Sequence, residues 1–396
     1  MRQRILITSA ILEVYALLLA SLQALGGVRT DEAKYLLTIP YPHPPLFRWM
    51  MHLTAFLPFQ EMFWRVLLAT LLVHSVWFVW EMGRSLHFPD RMAVCGGWLL
   101  STGVILQAGS IMLAPIVVVE ALVFLWLRSR KDLCTRIPGF IAVLWLASLF
   151  TAYQAVLFTP IVWSIVRYQQ KSRLRTAAVV GTPIALLALY TVSNPLALAT
   201  FVIHGTQGAS RSVLERFSGA GTLWLIGGSV LVSVAGTWGI LASRDRALVL
   251  TFLLIFAYDA FSIPFPFYAV LFTPLFVAGL LALFSGRHHP HSFPLLACFA
   301  ASAAIMTSLF LPSRTPGPAR ATMTAIALRH QSGGIMISGS FGHDWQYEST
   351  FPVTRYTPAH LEDVQAIICL ATCAPPLESL HWTMLPHVPV EVWVGR

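Results

Sequence analysis

Residues 30–49 read "TDEAKYLLTIPYPHPPLFRW" and follow directly on a run of twenty or so apolar residues. They hold two adjacent acids, a lysine, a histidine, an arginine and four prolines in a chain that is only 11% charged. The rest of the chain explains the contrast. It is 56% hydrophobic over 396 residues, carries 13 tryptophans and has a mean hydropathy of +0.69. Several charge-free stretches are long enough to cross roughly 30 Å of hydrocarbon as helix. A soluble core would break such runs with amphipathic faces, and a membrane barrel would need alternation, which is absent.

The pattern predicts an all-α polytopic membrane protein with about eleven transmembrane helices. They fall near 5–25, 62–81, 92–108, 111–127, 137–150, 152–166, 176–192, 221–242, 247–262, 267–285 and 293–311. The first run is long and lacks a small-x-small cleavage site, so it reads as a retained helix rather than a signal peptide. Alternation of these spans puts the connections 82–91, 128–136, 167–175, 243–246 and 286–292 on the side of the N-terminus. With Arg2 and Arg4 they carry fifteen of the 26 basic residues. Short basic loops stay cytoplasmic. The net charge of +9 is therefore a topology signal, and no nucleic-acid partner is needed to explain it.

That orientation leaves residues 26–61, 193–220 and the tail from about 312 outside. In a bacterium this is the periplasmic face of the inner membrane, with the N-terminus cytoplasmic and the C-terminus periplasmic. The expected organisation is a transmembrane domain over 1–311 and a small α/β appendage over 312–396. The tail opens on "LPSRTPGPAR", continues with a helix-like "ATMTAIALRH", and holds three β-like runs, "GGIMISGS", "VQAIICLA" and "VPVEVWV". No internal repeat is expected.

Asp31 and Glu32 stand just beyond the first span, at the water–lipid boundary. The stretch "PLFRWMMHLTAFLPFQ" (45–60) suits a helix lying in the interface. Acids beside such a helix are placed to act on a lipid headgroup.

"DEAKY" followed by "YPHPPLFRW" resembles the first external loop of the GT-C membrane glycosyltransferases, in the branch of the protein O-mannosyltransferases and lipid A aminoarabinose transferases. "LFTAYQAVLFTPIVW" (149–163) and "FPFYAVLFTPLFVAGLLAL" (265–283) are similar to later spans of that family, the second carrying its late tyrosine as Tyr268. The resemblance implies transfer of a sugar from a polyprenyl-phosphate donor to a glycan, lipid or protein hydroxyl, with inversion. Asp31 matches the family's base. Glu32 is its neighbour, and either raises its pKa or only organises the loop. Lys34, where some relatives have Arg, and His43, where relatives have His or Lys, are candidate phosphate ligands, with Tyr35 and Tyr41 as walls, while Arg48 is a third candidate or snorkels to lipid. Two departures stand out. Pro42 occupies the place of an acid before His-Pro-Pro, and Leu113 the place of the aspartate in Thr-Pro-Asp-x-Pro.

Further candidates lie elsewhere. In the second outer segment His204 is a substrate-binding candidate and Arg211 or Arg216 could complete a phosphate clamp, unless Arg211 and Glu215 form only a surface pair. Asp259, near the outer end of the ninth span, could join the headgroup pocket, while Glu13 and Glu120 read as packing residues. "FGHDWQYEST" (341–350) is polar and aromatic enough to touch a sugar but fits no catalytic spacing. Three histidines in "GRHHPHS" (286–292) lie on the inner side, no metal signature stands out, and a divalent metal is left open. Cys369 and Cys373 suit a local disulfide. Two rival readings remain: a transporter or flippase using Glu13, Glu120 and Asp259 as a relay, and a catalytically silent scaffold.

Overall fold

The computed structural model describes residues 2–40, 42–130, 138–170, 172–263, 265–285, 292–310, 317–329, 333–356, 364–370 and 382–395. The chain is a helical membrane protein carrying a small sheet at its C-terminal end. Among the described residues six helices are long and apolar enough to cross a membrane: Ile5–Leu25, Gln60–Met82, Arg173–Ser193, Val213–Ser243, Pro266–Phe284 and Ser292–Phe310. The other five expected spans are helical but shorter or broken. The span expected over 92–108 is two helices, Phe88–Leu99 and Thr102–Gln107. Ser229, inside Val213–Ser243, has φ 59° and ψ 160°, and its hydroxyl bridges the gap in the first pair. It accepts from the Thr102 amide at 3.3 Å and donates to the Leu100 carbonyl at 3.2 Å. Ser229 thus satisfies backbone groups freed at the first break, while Ser233, Ser302 and Thr273 serve those around its own kink, as hydrocarbon requires.

Packing follows from small residues and satisfied indoles. A Cβ on Gly239 would lie 1.9 Å from the Gly279 carbonyl oxygen, so Val213–Ser243 and Thr273–Phe284 touch backbone to backbone. Trp64, Trp98 and Trp145 are fully buried, and their N–H groups donate to the Thr54 hydroxyl and to the Leu72 and Val180 carbonyls at 2.8, 3.1 and 3.1 Å.

The connections expected inside meet one another at one end of the bundle. Glu81 lies 3.9 Å from Arg91 and 3.8 Å from Arg130, and Arg128 pairs with Asp245. Lys131, Arg136, Lys171, Arg287 and the histidine run at 287–291 lie outside the described residues.

In the C-terminal unit the strands are β1 Gly334–Ser338, β2 Val353–Arg355, β3 Val364–Cys369, β4 Trp382–Met384 and β5 Glu391–Gly395. Their order is β2-β1-β3-β5-β4, with β1 parallel to β2 and β3 and β5 antiparallel to β3 and β4. The three β-like runs became β1, β3 and β5; β2 and β4 are three residues each and leave no alternation to read. One face packs Ile335, Ile337, Ile368 and Val394 against Met323 and Ile326 of the helix Pro318–Ala327. Cys369 is disulfide-bonded, and Cys373 lies outside the described residues.

Candidate active site

The helix Thr30–Leu36 sits in the loop after the first span and sends its two acids in different directions. Successive side chains on a helix point about 100° apart. Glu32 reaches back to cap the Arg29 amide at 3.0 Å and turns into the protein. It is 1% exposed and meets Arg65 in a two-armed pair, 3.2 Å on each arm. The Ile111 amide donates to it at 2.8 Å. Burial pushes the Glu32 carboxyl up, but the Arg65 guanidinium and the two amide donors outweigh it and hold it below the usual range. Arg65 also donates to the Gly27 and Gly109 carbonyls at 3.0 and 3.1 Å and to Glu61 at 2.8 Å. One residue thereby ties the first loop to the start of the second long span and to the Gly109 turn.

Asp31 points the other way, into a cavity of about 870 Å³. Its carboxylate accepts from Lys34 at 3.0 Å, one turn on, and both side chains are part-exposed. Tyr35, Pro42 and His43 continue the loop side of the wall. The Tyr153 hydroxyl donates to the Pro42 carbonyl at 2.9 Å and pins the loop to the membrane part. The opposite wall is apolar, with Leu157, Ile184, Leu187, Val192 and Phe201 among its residues. A polar knot interrupts it: Gln154 donates to the Tyr258 and Tyr268 hydroxyls at 3.0 and 3.2 Å. Polar groups thus gather on the loop side of a greasy chamber, the distribution expected where a headgroup is bound and an alkyl chain is housed.

This wall also corrects the reading of the sequence as free of repeats. The hexapeptide AVLFTP occurs at 155–160 and again at 269–274. Both copies run from a 3-10 turn, Tyr153–Phe158 or Pro266–Phe272, into an α-helix beginning at the Thr-Pro. Gln154 and Tyr268, the residues just before each copy, are the ones that meet across the cavity.

The cavity therefore gathers Asp31, Lys34, Tyr35, His43 and Tyr268 of the expected site residues. Others fall elsewhere. Glu32 is committed to Arg65, away from the lining, and Arg48 is half-buried on the helix Pro45–Leu53, also off the lining. Arg211 and Arg216 do not reach it. Arg211 donates to the Ser262 carbonyl at 2.9 Å and lines a separate, shallower cavity, and Arg216 donates to the Arg211 carbonyl at 3.0 Å. The expected Arg211–Glu215 side-chain pair is replaced: Arg211 donates to the Glu215 carbonyl, while the Glu215 carboxylate caps the Ser212 amide at 2.7 Å. Asp259 is fully buried beside Tyr258, off the lining, with both carboxylate oxygens lacking a hydrogen-bond partner among the described residues. Tyr41 lies outside the described residues, and His204 falls on the helix Pro195–Ala209.

One lining residue comes from the stretch that fitted no catalytic spacing. His343 belongs to the C-terminal unit, where "HDWQYE" forms the short helix His343–Glu348. That helix docks on the first loop, with the Thr30 hydroxyl donating to Asp344 at 2.8 Å and the Val28 amide to Glu348 at 3.0 Å. Arg320 clamps the junction, donating to both Glu348 oxygens at 3.0 and 2.9 Å, to Glu61 at 2.9 Å and to the Ala24 carbonyl at 2.7 Å.

No family model matches the chain, and no curated protein matches it by sequence. Its backbone does match solved structures. ArnT from Cupriavidus metallidurans, bound to undecaprenyl phosphate, aligns over 99% of this chain and 98% of its own, with a TM-score of 0.62 at 12% identity. The chain has the GT-C fold. The apo state of the same ArnT aligns over the same shares at a TM-score of 0.60. Arabinofuranosyltransferase AftD from Mycobacteria aligns at 0.48 over 40% of its length. The ArnT alignments span both chains almost end to end, so the C-terminal unit lies within the match as well as the helices.

Pro42 and Leu113, the two departures in the sequence, both line the cavity. Neither side chain carries an atom that binds a cation, and Asp31 already faces Lys34. Among the described residues no three His, Cys, Asp or Glu groups come together as a metal cage. Among the described residues the cavity therefore presents no assembled ligand set for a divalent metal.

Proposed function

We propose that this protein is an integral membrane glycosyltransferase that moves a sugar from a polyprenyl-phosphate donor to an acceptor hydroxyl in the bacterial cell envelope. The reaction runs at the periplasmic face of the inner membrane, with the N-terminus cytoplasmic. The observation that carries this reading is the Asp31–Lys34 pair, 3.0 Å apart, on the wall of an otherwise apolar 870 Å³ cavity.

The chemistry follows from those two groups. A donor phosphate entering the cavity competes with Asp31 for Lys34, and His43 on the same wall supplies a second donor when protonated. Release from Lys34 leaves the Asp31 carboxylate as base. The acceptor oxygen loses its proton to Asp31 and attacks the anomeric carbon from the face opposite the phosphate. The bond from anomeric carbon to phosphate oxygen breaks, the configuration inverts, and polyprenyl phosphate leaves with its charge held by Lys34 and His43. The apolar wall takes the isoprenoid chain.

The flippase reading needs linked acids across the membrane. Glu13 hydrogen-bonds His74 and Thr70, Glu120 hydrogen-bonds Thr151, and neither touches the other or Asp259. The break between Phe88–Leu99 and Thr102–Gln107 closes on Ser229, off the cavity lining, whereas the two AVLFTP breaks lie on it. The unlinked acids favour the enzyme. The test is to supply membranes containing the protein with a labelled polyprenyl-phosphate sugar. A glycosidic product that depends on the protein supports the reading, whereas movement of label between leaflets with no new glycosidic bond overturns it.

A further inference from the structure

We infer that the seam between the first loop and the C-terminal unit is the acceptor subsite, and that His343 positions the acceptor's sugar hydroxyl against Asp31. The inference rests on the glycosyltransferase reading and adds the second substrate to it.

The placement of His343 is built from four contacts. Thr30 precedes Asp31 and Asp344 follows His343, and their side chains are joined at 2.8 Å. Val28–Glu348 and the Arg320 clamp hold the same two segments from the other end of the short helix. Gly342 lets them close: a Cβ there would lie 2.2 Å from the Thr30 hydroxyl. Asp31 and His343 thus line one cavity from opposite partners of a fixed joint.

His343 is also chemically prepared. The Gln346 side-chain oxygen lies 2.8 Å from its Nδ1, and in the tautomer whose Nδ1 donates to that oxygen, Nε2 is left for a ligand. A neutral imidazole so arranged accepts a hydrogen bond from a hydroxyl. The donor's lipid must sit on the apolar wall among the spans, and its phosphate at Lys34 and His43. The part of the wall that Asp31 shares with His343 is then left for the second substrate, the one whose hydroxyl Asp31 deprotonates. A hydroxyl-rich glycan headgroup has the chemistry this seam recognises: one hydroxyl to Asp31, a neighbouring one to His343.

The test uses the full-length protein in detergent with two probes. Undecaprenyl phosphate reports the donor side through its Kd. A glycolipid extract of the cell envelope, titrated against a fixed labelled polyprenyl-phosphate sugar, reports the acceptor side through the concentration for half-maximal transfer. For His343→Ala the expected result is a five- to tenfold rise in that concentration, roughly one lost hydrogen bond. The Kd for undecaprenyl phosphate should stay within about twofold. His343→Gln, which keeps a hydrogen-bonding group, recovers most of the loss. An unchanged half-saturation, or a Kd for undecaprenyl phosphate weakened as much as in Lys34→Ala, overturns the subsite. If the parent protein binds no undecaprenyl phosphate and transfers no sugar, the glycosyltransferase reading fails and takes the subsite with it.

Discussion

Glu32 and Arg65 face each other through two hydrogen bonds of 3.2 Å, both side chains out of reach of water, one residue along from the cavity-facing Asp31. The pair is the mechanical footing of the site, because Arg65 also holds Gly27, Gly109 and Glu61. Removing one partner strands the other as a buried charge. Arg65→Met is expected to cost about 3–5 kcal/mol, against a smaller loss in the double variant Glu32→Gln/Arg65→Met. Thermal unfolding of the four proteins in one detergent measures the coupling.

The same carboxyl gives the protein an acid limit. Glu32 has a folded-state pKa below its unfolded value, so its contribution is complete above the ordinary glutamate value of about 4.3 and fades as pH falls below it. The apparent Tm of the parent should therefore drop on acidification below that point. Glu32→Gln should start lower and depend less on pH across the same window.

Arg320 holds the C-terminal unit to the membrane part through Glu348, Glu61 and the Ala24 carbonyl. Arg320→Ala is expected to loosen the joint without unfolding the sheet, whose core lies on the far side of the Pro318–Ala327 helix. Hydrogen exchange should rise in the segments 26–36 and 343–348 and stay low in β1 and β3. Equal loss of protection throughout the sheet would refute a docking role.

Gly239 and Gly279 allow two spans to touch at the backbone. Gly239→Val must push them apart, with an expected loss of several kcal/mol through overpacking and forfeited contacts. A Gly→Val change at Gly139, where nothing lies within 4 Å, serves as the matched control and should cost far less.

The first loop was legible because charge is scarce in this chain and its clustering has few causes. Asp31, Lys34 and His43 announced themselves by type and place, and the family resemblance assigned them roles. Glu32 was ambiguous for a geometric reason: adjacent residues share a sequence context but not a helix face, and only the position of Arg65, 33 residues on, decides which way it turns. His343 could not be placed, since its short helix is docked through Asp344 and Glu348 on Thr30 and Val28, more than 300 residues earlier. The "HDWQYE" stretch did show as polar and aromatic. Span boundaries were read too regularly because hydropathy windows average over breaks such as Leu100–Ser101, which Ser229 repairs from another helix. The AVLFTP repeat was present in the sequence and was obscured by its shortness.

Asp31 carries the central claim, and Asp31→Asn tests it most directly. The change keeps the side chain's size while removing the base, so undecaprenyl phosphate should still bind with a Kd within a few-fold of the parent. Sugar transfer from a labelled polyprenyl-phosphate donor should fall by at least about a hundredfold. Asp31→Asn protein that folds, binds the lipid and transfers sugar at the parental rate would contradict the account.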